Sequence, residues 1–404
     1  MAKVLFTWEF GGGLGHLRRF LPIAEELYQA GHQITIAAPS TGLVKDEFTR
    51  LREQGLKYQL IQGLTLRPPS NPDIRKIPTH SFADVLRLFG YYNSPRLIRY
   101  IGKWRELCER VDPDLIVSDF SPSVALAVRD RVKRIVVGNG YTIPPGGNLL
   151  PPIRPWTKTL QPYSRANEGE ALTAINRVAQ KYKDPAIDYF GDIFSGHHTF
   201  VCSIKEFDPY GDHRPTENLF PFNIDIPDAG GPIKDRTGAD IVVYLPGRHT
   251  QMQEILTAIS NGGRSCEAYI SNRKEQTADW AGKNITLHDR PLDLKAKLPT
   301  AKLVIHHAGL GTALAGALAG TPQYLFSQNL EHFITAHGLI TFGCGERLTR
   351  VQDAVVDDIE QMIETLIGDE KYTNAAAETA TILGQRAKED SLGKIVAATL
   401  AALQ

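Results

Sequence analysis

The stretch that decides the fold of this chain is KLVIHHAGLGTALAGALAGTP, residues 302–322. Its apolar beginning, 302–305, predicts a buried parallel strand that ends at two histidines and a glycine-rich turn. An alanine-rich helix follows the turn at once. Backbone N–H groups, a helix N-terminus and an imidazole therefore gather around one point, and this arrangement favours a bound anion such as a phosphate.

Four residues of the turn are candidates for holding that phosphate. His307 supplies an imidazole donor, and Gly309 and Gly311 let the backbone approach without a side chain in between. Thr312 can either cap the helix or donate its hydroxyl to a phosphate oxygen. The competing interpretation is an ordinary strand–turn–helix corner in which the histidines have no ligand.

Length and composition narrow the class of protein. The 404 residues predict two domains or one large one, and the 45 basic residues equal the 45 acidic ones, which gives no argument for a nucleic-acid partner. The four cysteines lie far apart without a Cys-x-x-Cys pair, so neither a zinc site nor a disulfide framework is indicated. There is no signal-peptide layout and no apolar run long enough to span a bilayer, and we expect a soluble, cytoplasmic protein.

Strand and helix patterns alternate along the chain. Apolar runs that predict strands cover 4–8, 33–38, 114–118 and 134–138 in the first half, and 240–245, 267–270, 285–287, 302–305 and 323–326 in the second. A Pro- and Gly-rich segment, 141–162, is either a binding loop or a stiff surface excursion. We expect an α/β protein with two doubly wound parallel sheets, in domains of 1–225 and 240–382 joined by a linker of 226–239.

The stretch 301–346 resembles the donor-binding signature of inverting GT-B glycosyltransferases. The resemblance is to the UDP-glycosyltransferases of family 1 and their bacterial macrolide- and glycopeptide-modifying relatives, and more distantly to the peptidoglycan GlcNAc transferases. In that family a small-residue helix, Gly-x-Pro and an acidic–Gln pair follow the histidine and glycines, and Glu331-His332 takes the place of the pair here. The resemblance implies two Rossmann-like domains facing across a cleft, with a C-terminal helix, 383–404, that packs back on the N-terminal domain.

The resemblance also implies catalytic residues in the N-terminal half. The family has Gly-His after its first strand and again before its second, as Gly15-His16 and Gly31-His32 stand here. His16 thus matches the catalytic base, and an imidazole suits proton removal near neutral pH. Asp119 matches the aspartate that orients the base. The alternatives are that His16 and Asp119 merely cap helices. A dinucleotide-binding interpretation of the first turn fails, because His16 stands where the third glycine is needed.

Donor-binding residues are implied in several further segments. They are Gly13 and Gly15 in the first turn, Gly247 and Arg248 after the strand 240–245, Arg290 in the loop 288–292 that flanks the base and ribose, His307, Gly309, Gly311 and Thr312 at the phosphates, and Glu331 and His332 at the sugar hydroxyls. Three residues depart from the family pattern: Arg248 replaces a Ser, Gly316 replaces a Glu that bonds the ribose, and His332 replaces a Gln. In some relatives the last change accompanies a preference for galactose.

No cofactor and no metal are expected. The donor half has no Asp-x-Asp, and the chain has no cluster of His, Cys and Asp with ligand spacing. His307, the helix N-terminus and the turn amides are expected to balance the charge of the leaving group. The nucleotide-diphosphate sugar, expected to be a UDP-hexose, is a co-substrate.

The segment 84–105 is locally basic and aromatic. It is compatible with an acceptor pocket, with a patch that touches anionic lipid headgroups, or with an amphipathic helix that has a solvated cationic face. A small-molecule or lipid-linked acceptor and a peripheral membrane contact through 84–105 are therefore both open.

The sequence as a whole predicts an inverting, metal-independent glycosyltransferase that moves a sugar from a nucleotide diphosphate to an acceptor hydroxyl. Two alternatives remain. A non-hydrolysing nucleotide-sugar epimerase needs the donor alone, whereas a catalytically inactive accessory protein binds nucleotide sugars without turnover.

Overall fold

Each of two structural units of the chain is built on one parallel sheet. The computed structural model describes residues 1–12, 14–68, 78–214, 218–222, 236–272, 280, 284–348 and 355–404. The first unit comprises Met1–Asn223 and Asp390–Gln404, and the second comprises Ile224–Glu389. Most of the predicted linker, 226–239, lies outside the described residues.

The sheet of the first unit is doubly wound. Its strands are β1 (Lys3–Trp8), β2 (Gln33–Ala38), β3 (Gln59–Gln62), β4 (Leu115–Asp119), β5 (Lys133–Gly138) and β6 (His198–Val201). They lie in the order β3-β2-β1-β4-β5-β6, and every neighbouring pair is parallel. The strand order reverses between β1 and β4, and open α/β sheets bind ligands at the carboxyl ends of the strands beside such a point.

Helices cover this sheet. They are α1 (Gly15–Gln29), α2 (Thr41–Glu53), α3 (Phe82–Leu88), α4 (Ser94–Val111), α5 (Pro122–Val128) and α6 (Pro162–Tyr182). Every residue of β1 after Lys3 is buried, as the apolar run predicts for a strand covered on both faces. Phe6 of β1 packs edge-on against Phe20 of α1, with ring centroids 5.2 Å apart.

The basic and aromatic segment 84–105 does not form one continuous helix. It is divided between α3 and α4, and its large aromatic residues Tyr91, Tyr100 and Trp104 are buried. Arg99 and Lys103 of α4 are exposed. The solvated cationic residues Arg99 and Lys103 thus lie on α4, and the side chains of Tyr91, Tyr100 and Trp104 belong to the core. In the described part of the chain no helix is both long and apolar enough to cross a bilayer.

The second unit repeats the architecture. Its strands are β7 (Ile241–Pro246), β8 (Cys266–Ser271), β9 (Ile285–His288), β10 (Leu303–His306), β11 (Gln323–Leu325) and β12 (Gly345–Arg347), in the order β12-β11-β10-β7-β8-β9. Its helices are α7 (Met252–Gly262), α8 (Leu294–Lys297), α9 (Leu310–Leu318), α10 (Leu330–Thr341), α11 (Val356–Gly368) and α12 (Glu370–Arg386). All neighbouring strands are again parallel, which confirms the predicted α/β fold with two doubly wound sheets.

The chain ends in the helix α13 (Ser391–Ala402). The sequence predicted one helix over 383–404, but α12 ends at Arg386 and a new helix begins after Asp390. The Asp390 side chain accepts a hydrogen bond of 2.8 Å from the Gly393 amide, which caps the new helix. Ile395 of α13 is fully buried in the hydrophobic core of the first unit.

Candidate active site

His16 and Asp119 meet at the point where the strand order of the first sheet reverses. His16 is the second residue of α1, which follows β1, and Asp119 is the last residue of β4 and pairs in register with Trp8. The Nδ1 atom of His16 lies 2.8 Å from Oδ2 of Asp119. The structure thus brings the two predicted catalytic residues into hydrogen-bond contact.

The environment of Asp119 decides which ring nitrogen of His16 carries the proton. Burial alone raises the pKa of the Asp119 carboxyl, but the charges of Arg19 and His16 outweigh burial and hold this pKa below its usual 3.8. The carboxylate is therefore ionised at neutral pH and can only accept, so Nδ1 of His16 donates. In the neutral ring, Nε2 then carries no proton and is available as a base. The His16 side chain is 14% exposed, whereas that of Asp119 is fully buried.

Aromatic side chains hold the ring of His16 in place. The ring stacks on Trp8 at a centroid distance of 4.9 Å and an interplanar angle of 27°. The ring centroid of Phe120 lies 6.4 Å from that of His16, and the backbone of Phe120 has φ of 46°. A bulky residue in the left-handed region costs energy and is characteristic of functional sites. Phe10 joins Phe120 to Phe89, with ring centroids 5.4 and 4.5 Å away respectively.

Glu9 is a buried carboxyl beside this site that the sequence did not single out. It follows β1 directly and accepts hydrogen bonds from the Ser123 amide (3.0 Å), while its other oxygen lies 2.6 Å from the Ser123 hydroxyl. Burial raises the pKa of Glu9 to about 8, against the opposing effect of these bonds. The carboxyl group is therefore mostly protonated at neutral pH and fixes the start of α5 against the end of β1.

This carboxyl makes stability depend on pH. Because its pKa is higher in the folded chain, its contribution is fully present below about pH 4.5 and is lost as the pH rises through about 8. We expect Glu9→Gln, which cannot titrate, to become more stable relative to the wild type between pH 5 and 8.5, by at most about 1.4 kcal/mol per pH unit. Urea unfolding of both proteins across this range measures the difference. A constant difference at every pH would contradict the assignment.

The phosphate-binding turn predicted from the sequence lies between β10 and α9. Gly309 is the N-cap of α9 and no side chain caps this end, so the amides of the first turn face outward from the helix. Thr312 lies within the first turn, and its predicted alternative role as the cap is wrong because the helix has already begun at Leu310. Gly311 is exposed on the same turn. The geometry suits an anion at this helix N-terminus.

A buried histidine that the sequence analysis left without a role fixes the turn. Ala308 has φ of 63° and donates its amide to Nδ1 of His306 over 3.1 Å. Nε2 of His306 therefore carries the ring proton and donates it to Oε1 of Gln323, 2.8 Å away. Burial lowers the pKa of His306 to about 3, so the ring stays neutral. The neutral pair of His306 and Gln323 thus stabilises the strained turn at Ala308.

Gln323 also explains why the chain has a glycine at position 316. The side-chain amide of Gln323 donates to the backbone carbonyl of Ala313 at 3.1 Å, so the Gln323 side chain lies along α9. A Cβ atom at Gly316 would stand 2.8 Å from Cδ of Gln323. Any side chain at Gly316, including the Glu of the family pattern, would collide with the network that holds the turn.

Breaking the network has a calculable cost. We expect His306→Leu to leave the backbone amide of Ala308 and the side-chain carbonyl of Gln323 buried without partners. Each should lower the free energy of unfolding by about 1–3 kcal/mol. Chemical unfolding of His306→Leu, Gln323→Leu and the double variant measures the loss. The double variant should cost less than the sum, since the two residues act together. Additive losses would show that they act independently.

Two more histidines lie next to the turn. The rings of His307 and His332 approach to a centroid distance of 4.7 Å at 60°, and His332 is in the first turn of α10, next to Glu331. Burial lowers the pKa of His307 to about 4 and that of His332 to about 3, so both rings are neutral. The Nδ1 atoms of both are buried without a hydrogen-bond partner among the described residues. The pair offers unused polar atoms beside a helix N-terminus.

His249, which the sequence did not single out, joins two loops of the second unit. The Nδ1 atom of His249 accepts a hydrogen bond from the backbone amide of Gln251 at 3.2 Å. Its Nε2–H therefore donates to the backbone carbonyl of Phe326 at 2.9 Å. The ring ties the loop after β7 to the end of β11. The neighbouring Gly247 donates its amide to the Ser271 carbonyl (2.7 Å), and Arg248 is exposed.

The predicted donor residues do not all lie together. Gly247, His307 and Glu331-His332 follow β7, β10 and β11, which are adjacent strands. Arg290 is exposed in the loop after β9, and β9 lies three strands from β10, a spacing of about 14 Å between the two strands. It lines an open pocket of about 460 Å³ formed by 288–293 and Lys297. Gly15 begins α1 in the first unit, and Gly13 lies outside the described residues.

The described residues hold no group of three or more His, Cys, Asp or Glu side chains arranged for a metal ion. The His307 and His332 side chains beside the turn of the second unit are neutral imidazoles, whose hydrogen bonds suit a phosphate or a sugar hydroxyl.

Comparisons with known proteins give a consistent picture. Residues 268–395 match the family model of the erythromycin biosynthesis protein CIII-like, C-terminal domain. The L-demethylnoviosyl transferase of Streptomyces niveus is 22% identical over 379 residues, which is 88% of each chain. The calicheamicin glycosyltransferase CalG4 has a TM-score of 0.63 at 17% identity, covering 100% of this chain and 98% of that one. The glycosyltransferase VinC, solved with dTDP, has the same TM-score and identity, with 99% of each chain covered.

Proposed function

We propose that this chain, which is a GT-B glycosyltransferase of the antibiotic-modifying type, transfers its sugar by a single inverting displacement that needs no metal ion. The observation that carries the proposal is the contact of 2.8 Å between His16 and a buried, ionised Asp119. Together they form a base on a side chain that is 14% exposed.

The chemistry follows from that geometry. Nε2 of His16 takes the proton of an acceptor hydroxyl, and Asp119 stabilises the imidazolium that results. The acceptor oxygen forms a bond to the anomeric carbon of the sugar as the bond from that carbon to the diphosphate oxygen breaks. Because the oxygen attacks opposite the leaving group, the anomeric configuration inverts.

The donor side of the proposal rests on the turn of the second unit. We assign to the amides at the start of α9 and to His307 the task of balancing the charge that develops on the departing diphosphate; the uncapped helix N-terminus and the neutral imidazole support this assignment. We assign Glu331 and His332, in the first turn of α10, to the sugar hydroxyls, and the pocket beside Arg290 to the base and ribose. Since this charge balance comes from protein groups, we expect activity to survive EDTA.

We propose a pyrimidine nucleoside diphosphate as the leaving group. The resemblance to the UDP-glycosyltransferases supports UDP, and VinC was solved with dTDP. The acceptor we propose is a small molecule with an apolar or aromatic face. Phe120, Phe10 and the half-buried Phe89 form an aromatic group. The ring centroid of Phe120 lies 6.4 Å from that of His16.

Thermal unfolding in the presence of UDP, dTDP, GDP and NAD tests the donor side. A ligand at about 100 times its dissociation constant adds about 2.7 kcal/mol to the stability of the form that binds it. We expect a clear rise in Tm with UDP or dTDP, and none with NAD. His307→Ala should lose most of the rise. A rise with NAD alone, or one with UDP and dTDP that is unchanged in His307→Ala, would contradict the proposed donor site.

A further inference from the structure

Arg19 shares the carboxylate oxygen that His16 uses. It lies one helical turn after His16 on α1, and its Nη1 forms an ion pair with Oδ2 of Asp119. The Nδ1 atom of His16 contacts the same Oδ2. The side chains of Arg19 and Asp119 are only 6% and 0% exposed, so water does little to screen the pair.

We propose that Arg19 is a positioning residue of the catalytic base: it keeps Asp119 ionised, so that the proton of His16 stays on Nδ1 and Nε2 remains free to receive the acceptor proton. The inference rests on the proposed function for the role of His16. Arg19 thus joins His16 and Asp119, the pair that the sequence predicted.

The contacts of Asp119 show why the pair needs a cation. Its Oδ1 atom is buried without a hydrogen-bond partner among the described residues, so His16 and Arg19 share the stabilisation of one oxygen. A buried carboxylate with so few partners tends to take up a proton. A protonated Asp119 no longer holds the Nδ1–H of His16 as a carboxylate does. The guanidinium prevents this because it stays charged at any working pH.

Other groups around the pair do not replace Arg19. Cys202 is fully buried near Arg19 and Asp119, and burial raises the pKa of its thiol to about 12, so it is neutral. Glu9, which follows Trp8 at the end of β1, is mostly protonated at neutral pH. Arg18, the neighbour of Arg19 on α1, is exposed and offers a matched control.

The pH profile of kcat/KM distinguishes this role from simple packing. Arg19→Met should shift the acid limb, the fall of kcat/KM at low pH, to higher pH by about 1–3 units. An arginine beside an aspartate lowers the pKa of the carboxyl by about this amount, and the variant loses that effect. Arg19→Lys should restore most of the wild-type profile, and Arg18→Met should leave it unchanged. If kcat/KM of Arg19→Met fell by the same factor at every pH and the acid limb did not shift, the proposal would be overturned.

A second measurement needs no acceptor. Nitrogen-15 NMR of the histidine-labelled full chain reports which ring nitrogen of His16 is protonated, with the signal assigned by comparison with His16→Gln. At pH 7.5 we expect a proton on Nδ1 and none on Nε2 in the wild type and Arg19→Lys, and loss of that state in Arg19→Met. An unchanged spectrum in a folded Arg19→Met would refute the role of Arg19. Full transfer activity in His16→Ala would instead refute the proposed function.

Discussion

His16→Ala is expected to lower kcat by about 10²–10⁴-fold, because the variant loses the group that removes the acceptor proton. Binding of UDP or dTDP should be nearly unchanged, since the proposed phosphate-binding turn belongs to the second unit. Steady-state rates at saturating donor, together with Tm in the presence of the nucleotide, separate the two effects.

The control for this variant is His213→Ala, which removes an exposed histidine of the same unit. It should retain the wild-type rate. If His16→Ala transferred the sugar at the wild-type rate, His16 would not be the base. A loss of nucleotide binding in the same variant would mean that His16 serves the donor instead.

Gly11→Ala is expected to have the second largest effect on catalysis. The backbone of Gly11 has φ of 94°, and a Cβ atom built there would stand 2.5 Å from Nε2 of His16, the atom proposed as the base. The added methyl group must displace the imidazole or the turn. Since a misplacement of about 1 Å can cost about 10²-fold in rate, we expect kcat to fall by at least that factor.

Gly12→Ala is the matched control for this substitution. A Cβ atom at Gly12 meets nothing within 4 Å, so the same change one residue later should leave kcat near the wild-type value. Equal losses in both variants would indicate a general disturbance of the turn. A fully active Gly11→Ala would show that Nε2 of His16 does not face Gly11 in the working enzyme.

Most strands were predictable because parallel strands buried on both faces require unbroken apolar runs. β2 and β7 stand within a residue of the predicted positions. The edge strands β3 (QLIQ) and β12 (GER) and the partly exposed β6 (HTFV) were missed, because they are short and carry polar residues that a loop also accepts. Neighbouring backbones rather than their own side chains define them as strands.

The site was predictable only where a pattern marks it. Gly15-His16 and the glycine turn stand in recognisable contexts, whereas Arg19 reads as one more cation on an amphipathic helix. Its spacing of three from His16, which places both on one helix face, was the available signal. Gln323 had none, because its contact with His306 arises from the register of β10 with β11.

The linkage of the product tests the proposed inverting transfer with His16 as the base. The most direct test supplies α-linked UDP-glucose and dTDP-glucose with phenolic and alcohol acceptors, and reads the product linkage by NMR. We expect the wild type to form a β-linked glucoside and His16→Ala to form almost none. An α-linked product, or equal yields from both proteins, would contradict it.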